Sequence, residues 1–267
     1  MSETEHIKNL LIKGLQEKKE IDEKTNYVEP RLGIKGAAIQ IVDSLIEVIK
    51  LYLEEESVGD LSARYFMYAD GSDTVFVINE SSVVDLPPAP VGDFFEEIPD
   101  LLITLTASTK SPGGLSPSKA DAIYVHDPDN VDDAGEIEMF ISLPSGSKNI
   151  LEYLTTKRTM LCGVLTHEMQ HVVQKMVCGY TLSLTTGEDL DTHAFDPREI
   201  DARVEESITL MGDNEHEEDE VKFSEALIMC INEYLDRNAS PEKAAELRDK
   251  MLVEHMIVYK KKMQALL

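Results

Sequence analysis

The sequence contains little of what nucleic-acid-binding and membrane proteins require. Lysine and arginine number 25 against 51 aspartates and glutamates, which gives a formal net charge of −26 over 267 residues. Because phosphate contacts need a surplus of lysine and arginine, this composition argues against direct binding of nucleic acid or of anionic membrane surfaces. No apolar run approaches the roughly 20 residues that a transmembrane helix needs.

Cysteine is also scarce. The three cysteines, Cys162, Cys178 and Cys230, are far apart in the sequence. They fit packed thiols in a reducing compartment better than the disulfide framework of a small secreted protein. The first twenty residues contain no apolar core of the signal-peptide type. We therefore expect a cytoplasmic protein that is not exported by that route.

The apolar residues, 42% of the chain, are spaced first as in helices, then as in strands, then again as in helices. This order predicts an α+β fold, taken as a single domain over residues 1–267. Its parts are N-terminal helices at 1–60, a strand-rich part at 61–145 and the active-site and C-terminal helices at 150–267. The spacing predicts helices at residues 5–19, 35–55, 155–177, 197–210, 221–237 and 241–267. It predicts strands at 64–68, 74–78, 101–106, 122–125 and 136–142, the first two joined by a turn at 70–73.

An HExxH motif begins at His167 and ends at His171, inside the predicted helix 155–177. Histidines four residues apart lie on one helix face, one turn from each other, so both imidazoles can reach the same zinc ion. Glu168 follows the first histidine and projects beside the pair, where it can act as a base on the attacking water. The pattern indicates a metal site.

Catalytic zinc usually has three protein ligands and one open position, so a third ligand is expected later in the chain. The best candidate is Glu199, because Pro197 favours the start of a helix and places Glu199 in its first turn. The alternatives are His193, just before that helix, and three acidic residues within it: Asp201, Glu205 and Glu206.

The HExxH motif followed by Glu199 and Ala202 resembles the gluzincin branch of the zincin metallopeptidases, in which a Glu-x-x-Ala segment on a later helix supplies the third zinc ligand. The resemblance covers residues 136–206, about a quarter of the chain. It implies that His167, His171 and Glu199 bind zinc and that Glu168 is the general base. It also implies a zincin-like fold, with a small mixed or antiparallel sheet beside the HExxH helix.

Two departures from related families restrict the resemblance. Many gluzincins carry an aspartate four residues after the glutamate ligand, where this sequence has Arg203. Gln174 and Val177 occupy the positions of the glycine and third histidine of the metzincin motif, which excludes that branch. The Pro-x-Glu-Ile-x-Ala-Arg segment is similar to small metallopeptidase-like proteins of bacteria and phages.

These features together predict a zinc-dependent peptidase. Family members also have a histidine or tyrosine that donates to the oxyanion, and Tyr180, His193 and His255 are the candidates. The strand at 136–142 is expected at the edge of the cleft, where an extended peptide could pair with it. The alternatives are an interaction or assembly protein, for example a viral or phage structural or accessory protein, with structural or vestigial zinc, and an acidic mimic of nucleic acid.

Charge is concentrated in two places. Residues 80–138 contain thirteen acidic and two basic residues, a local balance of −11 in the part expected to form the cleft wall. We therefore expect a basic peptide or a basic protein as substrate or partner. The lysines at 260–262 are expected to be solvated at the end of the last helix.

Overall fold

The structure is a computed structural model that describes residues 33–53, 61–66, 75–78, 81–82, 94, 98, 101–108, 120–127, 130, 134–143, 150–179, 190–212 and 219–265. In chain order these residues form α1 (Ile34–Leu53), β1 (Leu61–Phe66), β2 (Val75–Ile78), β3 (Ser81–Ser82), β4 (Leu102–Ser108), β5 (Ala120–Val125), β6 (Glu136–Ser142), α2 (Ile150–Thr156), α3 (Arg158–Met176), α4 (Leu190–Ala194), α5 (Pro197–Leu210), α6 (Glu220–Asn238) and α7 (Pro241–Ala265). The predicted α+β class is confirmed.

The chain divides into two compact units. The sheet unit, within Arg31–Ser183, contains α1 to α3 and all six strands, and the helical unit contains α4 to α7. Each has its own cluster of buried apolar residues. The assignment of residues 1–267 to one domain stays a prediction.

The six strands form one mixed sheet in the order β3-β2-β1-β4-β6-β5. The β4–β6 pair is parallel and the other neighbours are antiparallel. Buried and less buried residues alternate along β4 and β6, as expected when one face of a sheet covers a core. Helices α1 and α3 pack together, and α3 also packs on β5.

The expectation that an extended peptide could pair with the strand at 136–142 is wrong, because both sides of this strand are already paired. This strand, β6, pairs with β4 on one side and with β5 on the other, and β5 is the terminal strand among those described. Spacing shows which residues form strands, but the pairing order depends on contacts between distant segments.

Helix α3 carries the HExxH motif and is largely buried. Its buried apolar residues include Leu161, Leu165, Met169, Val172 and Val173. The predicted helix 155–177 is divided into α2 and α3, because the backbone at Lys157 has φ −97° and ψ 7° and leaves the helical conformation. The apolar packing fixes the helix from which the motif side chains project.

The helical unit is built on α5, α6 and α7, which pack against one another. Asp196 and Asp219 cap α5 and α6 by accepting hydrogen bonds from backbone N–H groups of the first turns. In the core, the rings of Phe223 and Tyr259 stack with centroids 3.7 Å apart. The predicted helix start at Pro197 is therefore confirmed.

The prediction of solvated lysines at the end of the last helix is wrong for Lys262. Its ammonium lies 2.6 Å from Asp201 and 2.7 Å from Glu205, and all three side chains are at most 3% exposed. Lys260, one half-turn away, is 32% exposed and pairs loosely with Glu220 at 3.4 Å. Packing of α7 on α5 turns Lys262 inward, which the run of three lysines did not reveal.

Two predictions fall outside the described residues: the helix at 5–19 and the turn at 70–73. Of the three cysteines, Cys162 and Cys230 are buried and Cys178 is partly buried. Among the described helices, none combines the length and the apolar character needed to cross a membrane.

Candidate metal centre

The two motif histidines project from adjacent turns of α3. Their ring centroids are 5.1 Å apart and the rings are nearly perpendicular, at 77°. His171 is buried and His167 is partly exposed. Two imidazoles in this arrangement can bind one ion, as the four-residue spacing predicts.

Gln174 orients the ring of His171. Its side-chain oxygen lies 2.9 Å from Nδ1 of His171, and the glutamine is fully buried one turn further along α3. An amide oxygen only accepts hydrogen bonds, so with this amide orientation Nδ1 carries the proton. The Nε2 atom of His171 then has the lone pair that a metal ion requires.

Glu168 lies against the terminal strand of the sheet. One of its carboxylate oxygens accepts a hydrogen bond of 2.9 Å from the backbone N–H of Tyr124 in β5. The Tyr124 ring is anchored in turn, because its hydroxyl donates to the carbonyl of Ala134 at 2.7 Å. An N–H donor interacts more strongly with a carboxylate than with a carboxylic acid, so this contact suits a base.

Glu199 lies in the first turn of α5, directly after the Asp196 cap and Pro197. One of its oxygens accepts from Nη2 of Arg203 at 3.1 Å, one turn further along the helix. Burial raises the pKa of Asp196, but hydrogen bonds from the side chain and backbone of Arg198 outweigh burial, so its pKa lies below the usual value. The cap is therefore ionised at neutral pH and holds the first turn in place.

His193 lies beside Glu199 within the helical unit. Its Nε2 is 3.7 Å from a Glu199 oxygen, while its Nδ1 is 3.1 Å from the hydroxyl of Tyr234 and 3.3 Å from Nη2 of Arg203. The rings of His193 and Tyr234 stack with centroids 5.7 Å apart. Burial raises the pKa of Tyr234, and Arg203 offsets only part of that effect, so the hydroxyl remains protonated at neutral pH.

His167 and His171 belong to the sheet unit and Glu199 to the helical unit. Within the described residues, each histidine offers an imidazole nitrogen and Glu199 offers a carboxylate oxygen as a possible metal ligand. Two imidazole nitrogens and one carboxylate oxygen are a donor set of catalytic zinc sites, so the side chains fit this metal.

The other candidates for the third ligand are placed differently. The carboxylates of Asp201 and Glu205 contact Lys262 within the helical unit. Among the candidate oxyanion donors, His255 is fully buried, with Nδ1 2.6 Å from the carbonyl of Met251. Tyr180 lies outside the described residues.

Tyr124, Gln174 and Tyr234 have roles that the sequence did not indicate. Gln174 is three residues after His171, and that spacing is a detectable signal, because residues three apart meet on a helix surface. Tyr124 and Tyr234 are distant in sequence from the residues they contact, and no local pattern marks them.

Comparison of the chain with protein-family models, with curated proteins and with solved structures gives no match.

Proposed function

We propose that this protein is a zinc-dependent peptidase of the zincin type. His167, His171 and Glu199 hold the zinc ion and Glu168 is the general base. The observation that carries the proposal is the pair of imidazoles of His167 and His171, whose ring centroids lie 5.1 Å apart on α3, with Glu168 in the same helix. The contact between Glu168 and β5, the terminal strand among those described, supports it further, because an extended peptide could pair with such a strand beside the proposed base.

Zinc, when bound, lowers the pKa of water and polarises a peptide carbonyl. Glu168 takes the proton of the attacking water and passes it to the leaving amine. The Tyr124 N–H holds one oxygen of Glu168, so the carboxylate is oriented before substrate binds. Gln174 presents Nε2 of His171 to the ion by accepting the Nδ1 proton.

His193 is the proposed donor to the oxygen of the scissile carbonyl as negative charge develops on it. Three observations favour it: its side chain is 43% exposed, its Nε2 is close to Glu199, and its Nδ1 is engaged by Tyr234. A donor that is already in position needs no reorganisation when the transition state forms. Its hydrogen bond can therefore stabilise the negative charge that develops during acyl transfer.

The proposed substrate is an extended peptide that pairs with the outer edge of β5. The strand has β6 on one side, and Ile123 and Val125 are exposed apolar residues on it. Edge pairing supplies main-chain hydrogen bonds, and the side chains select the sequence. Asp121 in β5 and the neighbouring Glu138 in β6 favour basic residues in the substrate.

The first test measures metal content and cleavage in protein purified without added metal. We expect about one zinc ion per chain, and Glu168→Gln should retain the metal and lose cleavage of a diverse peptide library. Glu152→Gln is the matched control, because it removes the same charge from an exposed position on α2 and should change neither property. A wild-type chain that binds no zinc and cleaves no peptide contradicts the proposal.

The same experiment separates the alternative functions. Zinc retained without turnover, in a chain that captures a protein partner, indicates an assembly role with structural zinc. A chain without metal that competes with DNA for a basic protein indicates a nucleic-acid mimic, which the net charge of −26 alone favours. Cleavage that prefers acidic sequences, or that does not respond to salt, contradicts the proposed charge preference.

Glu199→Ala tests the third ligand. Zinc affinity, measured by competition with a chelator, should fall by more than the roughly 10- to 100-fold that is typical of residues that only contact the ligands. Glu206→Ala is the control, because it removes an acidic side chain about two turns further along the same helix. An affinity that Glu199→Ala leaves unchanged means that another residue is the ligand.

A further inference from the structure

We propose that Arg203 is a positioning residue that holds His193 as the tautomer protonated on Nε2, so that His193 serves as a hydrogen-bond donor and not as a metal ligand. The tautomer follows from contacts within the helical unit. The use of the Nε2 proton on a substrate rests on the proposed function.

The chemistry of the donors decides the tautomer. An arginine guanidinium donates hydrogen bonds and accepts none. Nη2 of Arg203 lies 3.3 Å from Nδ1 of His193, so Nδ1 must be the accepting nitrogen. The protonated hydroxyl of Tyr234, 3.1 Å from the same nitrogen, can donate to it as well. A neutral imidazole carries one N–H, which therefore lies on Nε2.

Arg203 is held so that it cannot easily leave this contact. Its side chain is only 4% exposed and its guanidinium lies 4.1 Å above the ring of Tyr234. The same Nη2 donates to Glu199 at 3.1 Å. An ion pair, a cation–π contact and burial together fix the guanidinium between the carboxylate and the imidazole.

The consequence is a division of roles between two histidines. The amide oxygen of Gln174 accepts from Nδ1 of His171, which leaves the Nε2 lone pair for a metal ion. At His193 the donor from Arg203 reverses this arrangement, and a protonated Nε2 cannot coordinate. His193 is therefore not the third ligand, although its Nε2 is only 3.7 Å from Glu199.

Arg203 stands where many gluzincins have an aspartate, and this difference affects the tautomer of His193. An aspartate would accept a hydrogen bond from the N–H of a neighbouring imidazole and would select the opposite tautomer. Arginine donates instead. The substitution of arginine for aspartate thus changes which nitrogen of His193 is available and makes this residue a donor.

The direct test is a long-range proton–nitrogen NMR correlation on the ¹⁵N-labelled full chain, with the His193 signals assigned by their loss in His193→Gln. Wild-type His193 should show a protonated Nε2 and an unprotonated Nδ1. In Arg203→Met the ratio of the two tautomers should fall by about 10- to 100-fold, as expected when one hydrogen bond from a charged donor is lost. Arg203→Lys, which keeps a charged donor, should preserve the wild-type tautomer.

Arg237→Met is the matched control, because Arg237 forms an exposed ion pair with Glu233 on α6 and should not affect His193. A wild-type His193 protonated on Nδ1 overturns the inference even if Arg203→Met fails to fold. An unchanged tautomer in folded Arg203→Met shows that Tyr234 alone sets it and also overturns the role of Arg203.

Titration with zinc alone separates this inference from the proposed function. Zinc should shift the side-chain nitrogens of His167 and His171 and leave Nε2 of His193 protonated. Loss of the His193 Nε2 proton on zinc binding overturns the inference while the metal site stands. Failure of the chain to bind zinc contradicts the proposed function but leaves the tautomer result intact.

Discussion

Replacement of Lys262 by methionine should destabilise the helical unit by about 3–5 kcal/mol, the usual cost of removing one partner from a buried ion pair. The lysine is buried between Asp201 and Glu205, at 2.6 and 2.7 Å. At an effective dielectric constant of about 20, each contact is worth about 6 kcal/mol of attraction. Burial of each charge costs several kcal/mol, so the intact triad contributes little net stability. Without the lysine, two carboxylates remain buried with no cation between them.

Hydrogen exchange of the full chain, resolved by peptide, measures this effect where it is expected. A loss of 3–5 kcal/mol corresponds to a decrease of about 10²- to 10⁴-fold in the protection of amides in α5 and α7. Lys260→Met is the matched control on the same helix. Its partner Glu220 is 56% exposed, so the change should cost no more than about 1 kcal/mol.

A triple variant tests whether buried charge is the cause. Asp201→Leu and Glu205→Met, added to Lys262→Met, remove all three charges and should restore protection to the wild-type level or above. The reasoning is refuted if the amides of α5 and α7 are as well protected from exchange in Lys262→Met as in Lys260→Met. It is also refuted if the triple variant is as unstable as Lys262→Met alone.

The pH dependence provides a second measurement. Burial by itself lowers the pKa of Lys262, but the carboxylates of Glu205 and Asp201 outweigh burial and raise its pKa above the usual value. A raised pKa in the folded state means that the stabilisation is complete below the unfolded pKa of about 10.4 and is lost as pH rises through the folded pKa. The stability difference between wild type and Lys262→Met should therefore be constant from neutral pH to about pH 9 and shrink only at higher pH.

Two further substitutions test the supports of the site. Gly135→Ala should destabilise the sheet unit by at least about 1–3 kcal/mol, measured by hydrogen exchange of β5 and β6. Gly135 has φ +80°, and a Cβ there would lie 2.5 Å from the Val125 carbonyl oxygen and 2.9 Å from the Tyr124 ring. Exchange at the wild-type rate would contradict this reasoning. Asp196→Ala should cost about 1 kcal/mol by removing the cap of α5, with Asp196→Asn retaining most of the stability, as judged by protection of the first turn of that helix.

The helix ends and most strands were predictable because their signals are local. Pro197 after an aspartate marks the start of α5, and the alternation of Ile137, Met139 and Ile141 marks β6. The 3.6-residue period places His167 and His171 on one face of α3 whatever the rest of the chain does. These features depend on residues within one or two turns of each other, which is the range that spacing can describe.

Relations between distant segments were not predictable in the same way. The strand at 136–142 was expected to pair with a peptide, but β4 and β5 pair with it on both sides, and β5 ends the described sheet. The backbone contact from Tyr124 to Glu168 joins residues 44 positions apart, and the link from Lys262 to Glu205 joins residues 57 apart. Residue types and spacing contain no information on which of several acidic residues a buried lysine will meet.

In the candidate site, local sequence determines some of the residues that come together, and tertiary packing determines the others. The HExxH spacing was sufficient to name His167, Glu168 and His171 as a constellation, because a helix brings them together by its own geometry. For the third position the sequence favoured Glu199, in the first turn of a predicted helix, and left His193 and three other acidic residues as alternatives. In the folded helical unit, Asp201 and Glu205 form ion pairs with Lys262, and Arg203 donates a hydrogen bond to Nδ1 of His193. These contacts depend on which side chains tertiary packing brings within hydrogen-bonding distance, and the spacing of residues along the sequence does not specify that.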